Sequence, residues 1–184
     1  NHASHVSHIS NTPNASHVRN ARNANTANNA SNDKINIIIK SCKNISSKQA
    51  LLIIPITKYF SDKILLNKLI TILRGEGISL RLVDWFVTNY AKKFNVSYMT
   101  KENKHVIVYL SYKSHLKAYS KKMFDPFCRW KRIKFHDLDT TVGQLNFFEW
   151  AISDEVLDYL QTHREAIHAD MEARLHEAKE TETD

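Results

Sequence analysis

Cys128 is the side chain of this sequence best suited to nucleophilic chemistry. Arg129 follows it directly, and a neighbouring cation lowers the pKa of a thiol and makes it a better nucleophile. A cysteine enzyme also needs a base, for which His136 is the nearest candidate along the chain. The segment has no glycine-rich turn to bind an oxyanion, however, and Phe127 and Trp130 indicate a packed environment. We therefore predict a structural thiol and a protein that is not an enzyme.

The same segment contains residue types that bind metals. Cys128, His136, Asp137 and Asp139 fall within twelve residues. Structural zinc sites usually contain pairs of Cys or His two to four residues apart, and this segment has no such pair. The chain also has only three Gly, and the pair in RGEG, residues 74–77, matches neither a P-loop nor a dinucleotide fingerprint. We predict no metal site and no cofactor.

Basic residues interleaved with aromatic residues are the strongest functional signal. Lys and Arg contact phosphates and release counterions, while an aromatic face can stack on an exposed base. Phe124, Phe127 and Phe135 are better explained as core residues, which leaves Trp130 as the stacking candidate. The predicted nucleic-acid-binding residues are Lys113, Lys117, Lys121, Lys122, Arg129, Trp130, Lys131, Arg132 and Lys134.

The charge is distributed very unevenly along the chain. Residues 34–135 contain 21 Lys and Arg against five acidic residues, a net charge of +16, whereas residues 136–184 have a net charge of −10. So much positive charge is self-repulsive unless an anionic partner or the acidic segment offsets it. Residues 154–184 could fold back on the basic part or reach a neighbouring copy, so a homo-oligomer formed through the acidic tail is the alternative prediction.

Composition divides the 184 residues into three parts. Residues 1–33 are rich in Asn, Ser and His with little to bury, which predicts a disordered leader. Residues 34–161 are predicted to form a single basic domain, and residues 162–184 an acidic helical tail. The longest apolar run, residues 50–56, is too short to span a bilayer. Two cysteines without paired spacing favour a reducing compartment.

Apolar periodicity gives the elements of the basic domain. Residues 62–74 have a helical stripe after Ser61, and residues 79–94 repeat that pattern after Ser79. Alternation predicts a β-hairpin over NVSYMT and HVIVYLSYK, whose second strand, residues 105–113, is apolar on both faces. RIKF, residues 132–135, predicts a third strand.

The C-terminal part is predicted to be helical. Thr141 and Gln144 have the spacing of a capping box, in which each side chain satisfies a free N–H at the helix start. Ser153 and Asp154 provide a new N-cap signal that could divide this region into two helices. The predicted fold class is α+β, a small and mostly antiparallel sheet with helices on one face.

Three segments resemble a family of uncharacterised proteins encoded by nucleocytoplasmic large DNA viruses, the giant viruses. They are DWFVTNYAKKFN, VYLSYKSHLKAYSKKMFDPFCRWKRIKF and TTVGQLNFFEWAISDEVLDYL. The resemblance covers about residues 78–161. This chain has Trp130 where the family pattern has a second Arg, and Glu149 where it has a basic residue. The resemblance implies no established activity, but it does imply a viral setting.

These observations together predict a non-enzymatic protein of a large DNA virus that binds nucleic acid, either DNA or RNA. It would act in replication, transcription or genome packaging, in the viral factory of the host cytoplasm or in the virion, and not at a membrane. The alternative is a virion structural or assembly protein that associates through its basic body and acidic tail.

Overall fold

The computed structural model describes residues 46–183, so the predicted leader lies outside the described residues. The first helix, α1, covers Ser47–Tyr59. The Ser46 hydroxyl accepts a hydrogen bond from the Gln49 N–H, and the Gln49 side chain accepts one from the Ser46 N–H. This capping box satisfies two of the N–H groups that a helix start leaves unpaired. Pro55 lies within α1.

The second helix, α2, covers Lys63–Leu73, which confirms the prediction for residues 62–74. Its N-cap is Asp62 instead of Ser61. Asp62 Oδ1 accepts hydrogen bonds from the N–H groups of Ile64 and Leu65, while the Ser61 hydroxyl donates to the Lys58 carbonyl. A carboxylate at this position also complements the positive end of the helix dipole.

The third helix is continuous but not uniform. We call its three segments together α3: Leu80–Trp85, a π-helical turn at Phe86–Tyr90, and Ala91–Lys93. The Ser79 hydroxyl accepts a hydrogen bond from the Leu82 N–H at the start of α3, as the sequence predicts.

The sheet is smaller than predicted. Strands β1, Ser97–Met99, and β2, His105–Ile107, form an antiparallel hairpin. The predicted continuation of the second strand over residues 108–113 is wrong, because helix α4, Val108–Met123, begins immediately after β2. Strands β3, Ile133–Phe135, and β4, Leu138–Thr140, form a separate antiparallel pair. The α+β class is confirmed, with two small sheets among the described residues in place of one.

Three helices follow β4: α5, Val142–Ser153; α6, Val156–Thr162; and α7, Arg164–Thr181. The predicted break at Ser153 and Asp154 separates α5 from α6. Half of the predicted capping box forms, because the Thr141 hydroxyl accepts from the Gln144 N–H. The Gln144 side chain instead accepts a hydrogen bond from the Thr140 hydroxyl.

Helix α5 is the centre of the core. Ten of its twelve residues are buried, and both α1 and α4 pack against it. This burial on all sides explains why its sequence is apolar without a clear polar face. Helix α7 packs against α3 and α6 through the buried side chains of Ile167 and Met171. No helix within residues 46–183 is long and apolar enough to cross a membrane.

Candidate nucleic-acid interface

Six of the nine predicted binding residues lie in one segment that runs from the last turn of α4 to the start of β3. We call this segment, residues 120–132, the basic loop. It begins at Ser120, where φ is 62° and ψ is 167°. This combination is populated almost only by glycine, and other residues keep it only when surrounding contacts hold it in place.

The backbone that follows this kink is bonded to α5. The Asn146 side-chain amide donates to the Met123 carbonyl at 2.7 Å, and the Gln144 amide donates to the Pro126 carbonyl at 2.9 Å. Because buried amides that lose their partners are costly, these two bonds fix the loop backbone on the helix. The second and third of the three segments that carry the family resemblance are therefore in direct contact, and Gln144 and Asn146 hold them together.

Asp125 organises the interior of the loop. It is 5% exposed, and its Oδ1 accepts a hydrogen bond from the Phe127 N–H. Arg129 Nε donates to Asp125 Oδ2 at 3.0 Å, and its guanidinium lies 4.6 Å from the centre of the Phe127 ring. Arg129 therefore neutralises a buried carboxylate, while about half of its side chain stays accessible to a ligand.

The exposed face of the loop pairs a cation with an aromatic ring. Trp130 is 45% exposed, and Lys122 Nζ lies 5.2 Å from the centre of its indole ring. Such a cation–π contact holds the ammonium beside an aromatic ring that remains partly exposed. Phe124 and Phe135 are buried, as predicted, and Phe127 is half-buried.

The remaining predicted cations are exposed but differ in their surroundings. Lys134 on β3 pairs with Asp139 on β4 at 2.8 Å, and this hydrogen bond lowers the pKa of Asp139. Lys113 and Lys117 lie one turn apart on α4, before the kink at Ser120. The other three, Lys121, Lys131 and Arg132, are also exposed.

Asp84 is a neighbour of the loop that the sequence did not reveal. Burial raises the pKa of this α3 side chain most, Asp125 raises it further, and Arg129 and Lys121 lower it. The carboxylates of Asp84 and Asp125 thus reduce the local positive charge of the basic loop. No periodicity or motif in the sequence places Asp84 near residues 121–129, because that contact depends on how α3 and the loop pack.

Cys128 does not have the properties of a nucleophile. Burial raises the pKa of its thiol, Asp139 raises it further, and Arg132 lowers it. A raised pKa disfavours the thiolate, which is the nucleophilic form of cysteine. Among residues 46–183, no three His, Cys, Asp or Glu side chains are placed to hold a metal ion. His115 and Glu149, which form a polar cavity between α4 and α5, were not predicted as functional.

Comparison with known proteins supports the viral resemblance. The uncharacterized protein L507 of Acanthamoeba polyphaga mimivirus is 36% identical over 160 residues, which cover 79% of this chain and 62% of that protein. The chain thus spans less than two thirds of the length of this relative. No solved structure matches the chain significantly. A family model described as a family of unknown function matches residues 41–184, and the chain therefore belongs to that family, DUF7197.

Proposed function

We propose that the protein binds nucleic acid through the basic loop, without catalysis, in the replication, transcription or genome packaging of a large DNA virus. The observation that carries this proposal is the contact of Lys122 with the exposed ring of Trp130 on a loop fixed to α5. The contact places a cation that can bind a phosphate beside an aromatic ring on which a base can stack. The site of action would be the viral factory in the host cytoplasm or the virion.

The rigidity of the loop supports this function. A loop that is already ordered loses less conformational entropy on binding than a disordered one. The clamp formed by Gln144 and Asn146 holds the backbone that carries Lys121, Lys122 and Trp130. The cations of the loop then supply affinity that falls as salt rises, because binding releases counterions from the phosphates.

The ring of Trp130 favours nucleic acid over other polyanions. A sulfated or phosphorylated ligand would need only the cations, and a half-exposed indole would add nothing to its binding. Unpaired bases, in contrast, stack on aromatic side chains at about 1–3 kcal/mol per base. We therefore expect single strands to bind more tightly than duplexes of the same length.

The test is fluorescence anisotropy with labelled single- and double-stranded oligonucleotides, at several salt concentrations between about 50 and 200 mM. The loop variant carries Lys121→Glu, Lys122→Glu and Arg132→Glu, and leaves Arg129 in place because it neutralises Asp125. A matched control carries three reversals on exposed residues of α1 and α2: Lys48→Glu, Lys63→Glu and Lys68→Glu.

Both variants change the net charge equally, so a difference between them reports the site and not the total charge. We expect the loop variant to bind at least about tenfold more weakly and to show a shallower dependence on salt, as expected for lost phosphate contacts. Absence of binding by the unmodified protein at low salt, or equal losses in the two variants, would overturn the proposal.

The alternative function, assembly of the virion through opposite charges, rests on α7. Asp170 in α7 bonds to Trp85 and Lys93 of the same chain, so the helix lies on its own α3. Its carboxylates at Glu165, Glu172 and Glu177 remain exposed and could reach a second copy. Replacing these three by Gln, with sedimentation velocity as the measurement, should dissociate an oligomer held by charge and leave a monomer unchanged.

A further inference from the structure

A polar cavity that the proposed function does not use lies where α4, α5 and the β1–β2 hairpin meet. Its volume is about 210 Å³, room for several water molecules, each of which takes about 30 Å³ in the liquid. Lys104 comes from the hairpin, His115 and Tyr119 from α4, and Asn146 and Glu149 from α5. Side chains from three separate elements thus converge on one space.

Several hydrogen-bond donors around the cavity are already occupied by the protein. His115 Nδ1 lies 2.8 Å from the Ser111 carbonyl, and since a carbonyl can only accept, Nδ1 carries the proton. The Asn146 amide donates to Met123, and the Ser153 hydroxyl donates to the Trp150 carbonyl. These side chains turn donors toward the backbone and retain acceptors.

The ammonium of Lys104 is already paired with a carboxylate of the protein. Lys104 Nζ lies 2.7 Å from Asp154 Oδ1, and the Asp154 side chain is only 6% exposed. The indole N–H of Trp150 donates to the Ser111 hydroxyl. Lys104 and Asp154 therefore cancel each other's charge, and an added anion would have to compete with Asp154 for Lys104.

Acceptors remain for a ligand. They are the carboxylate of Glu149 and Oδ1 of Asn146. Burial raises the pKa of Glu149 while the neighbouring His115 lowers it, which indicates that the carboxylate is poorly solvated. Burial raises the pKa of Tyr59 to about 12, and the charge of Glu149 contributes to that rise.

We propose that this cavity binds an organic cation, an ammonium or guanidinium group whose N–H donors satisfy Glu149 and Asn146. The aromatic rings of Tyr119 and Trp150 also line the cavity, and aromatic faces attract such cations. The group belongs either to a small free amine or to a Lys or Arg side chain of a peptide. The site shares Asn146 with the contact that fixes the basic loop, but it does not depend on nucleic-acid binding.

The experiment titrates the full chain, free of nucleic acid, with 1,4-diaminobutane, with N-acetyl-argininamide and with a short arginine-containing peptide. N-acetyl-glutaminamide is the uncharged control. Isothermal titration calorimetry measures affinity, and the NMR signal of the Trp150 indole N–H, assigned with Trp150→Phe, reports the location. We expect at least one cation to shift that signal, and the uncharged control to leave it unchanged.

Glu149→Gln keeps the shape of the side chain and removes its charge, so it should weaken cation binding about tenfold or more, as expected for a charge-assisted hydrogen bond. Glu76→Gln, at an exposed residue between α2 and α3, is the matched control and should bind normally. Tight binding of the free amine or of the peptide alone identifies the source of the cation. Equal binding of the uncharged control, no shift at Trp150, or unchanged binding by a folded Glu149→Gln protein would overturn the proposal.

Discussion

A Cβ built on Gly143 would lie 2.7 Å from the carbonyl oxygen of Lys122 and 3.2 Å from the backbone of Met123. The first turn of α5 and the end of α4 therefore touch backbone to backbone. Only a residue without a side chain permits this approach, and it brings Asn146 within hydrogen-bond distance of the Met123 carbonyl. The glycine thus determines where the cations of the loop lie.

Gly143→Ala should destabilise the protein by about 1–3 kcal/mol, the usual cost of overpacking. The sign of this change in stability is informative, because replacing Gly by Ala within a helix normally stabilises the protein by up to about 1 kcal/mol. Urea denaturation measures the change. Stabilisation would show that the backbones of α5 and the loop are not in contact.

Gly77→Ala is the control for this variant. A Cβ there meets nothing within 4 Å, but the residue has a φ of +86°, so Ala should cost about 1 kcal/mol through backbone strain alone. Gly77→Ala should leave oligonucleotide affinity unchanged, whereas Gly143→Ala should reduce it by displacing the loop.

Arg129→Gln should destabilise the fold by about 1–3 kcal/mol, because it leaves the buried carboxylate of Asp125 without its cation. Arg132→Gln, an exposed neighbour, should stay within about 0.5 kcal/mol of the unmodified protein. Adding Asp125→Asn to Arg129→Gln should recover part of the loss, since the buried charge is then gone. Purely additive effects in this double-mutant cycle would show that the two side chains do not interact.

Trp130→Ala should weaken binding of single-stranded DNA by about 1–3 kcal/mol, the usual contribution of one stacked base. Because Trp130 is 45% exposed, the substitution should change the free energy of unfolding of the protein by only about 0.5 kcal/mol. Phe94→Ala, at a 53% exposed aromatic outside the loop, is the control. If both variants bind single strands equally well, the indole is not a stacking surface.

The start of α4 shows what the sequence could and could not predict. In HVIVYLSYK the alternation of apolar residues favours a strand, and the chain does form one up to Ile107. From Val108 the chain is helical, because Val108 and Tyr112 then face the core one turn apart. Both patterns are present in the same residues, and tertiary packing decides between them.

The basic loop and the polar cavity also differ in how far the sequence predicts them. The cations of the basic loop are neighbours in sequence, so their clustering follows from composition. The kink at Ser120 is not predictable, since serine rarely adopts that conformation. The cavity needs Lys104, His115 and Glu149 from three elements, and no spacing in the sequence brings them together.

Glu149→Gln should change stability in a pH-dependent way. Burial raises the pKa of Glu149 in the folded protein, so the folded state disfavours its charged form. Below the pKa of the unfolded chain, about 4.3, the carboxyl is protonated in both states and its burial costs no charge. As the pH rises through the pKa of the folded state, the folded protein must bury a charged carboxylate and loses this stability. The variant should therefore be more stable than the unmodified protein at pH 7, and this advantage should shrink as the pH falls toward 4.

Urea denaturation at both pH values measures this difference, with Glu76→Gln as the exposed control. A cation bound beside Glu149 would offset the same penalty, because a ligand that binds only the folded state raises its stability. The organic cation should consequently raise the Tm of the unmodified protein and not that of Glu149→Gln. If Glu149→Gln gains no stability at pH 7, the carboxylate is well solvated, and the poor solvation invoked for the cation site loses its support.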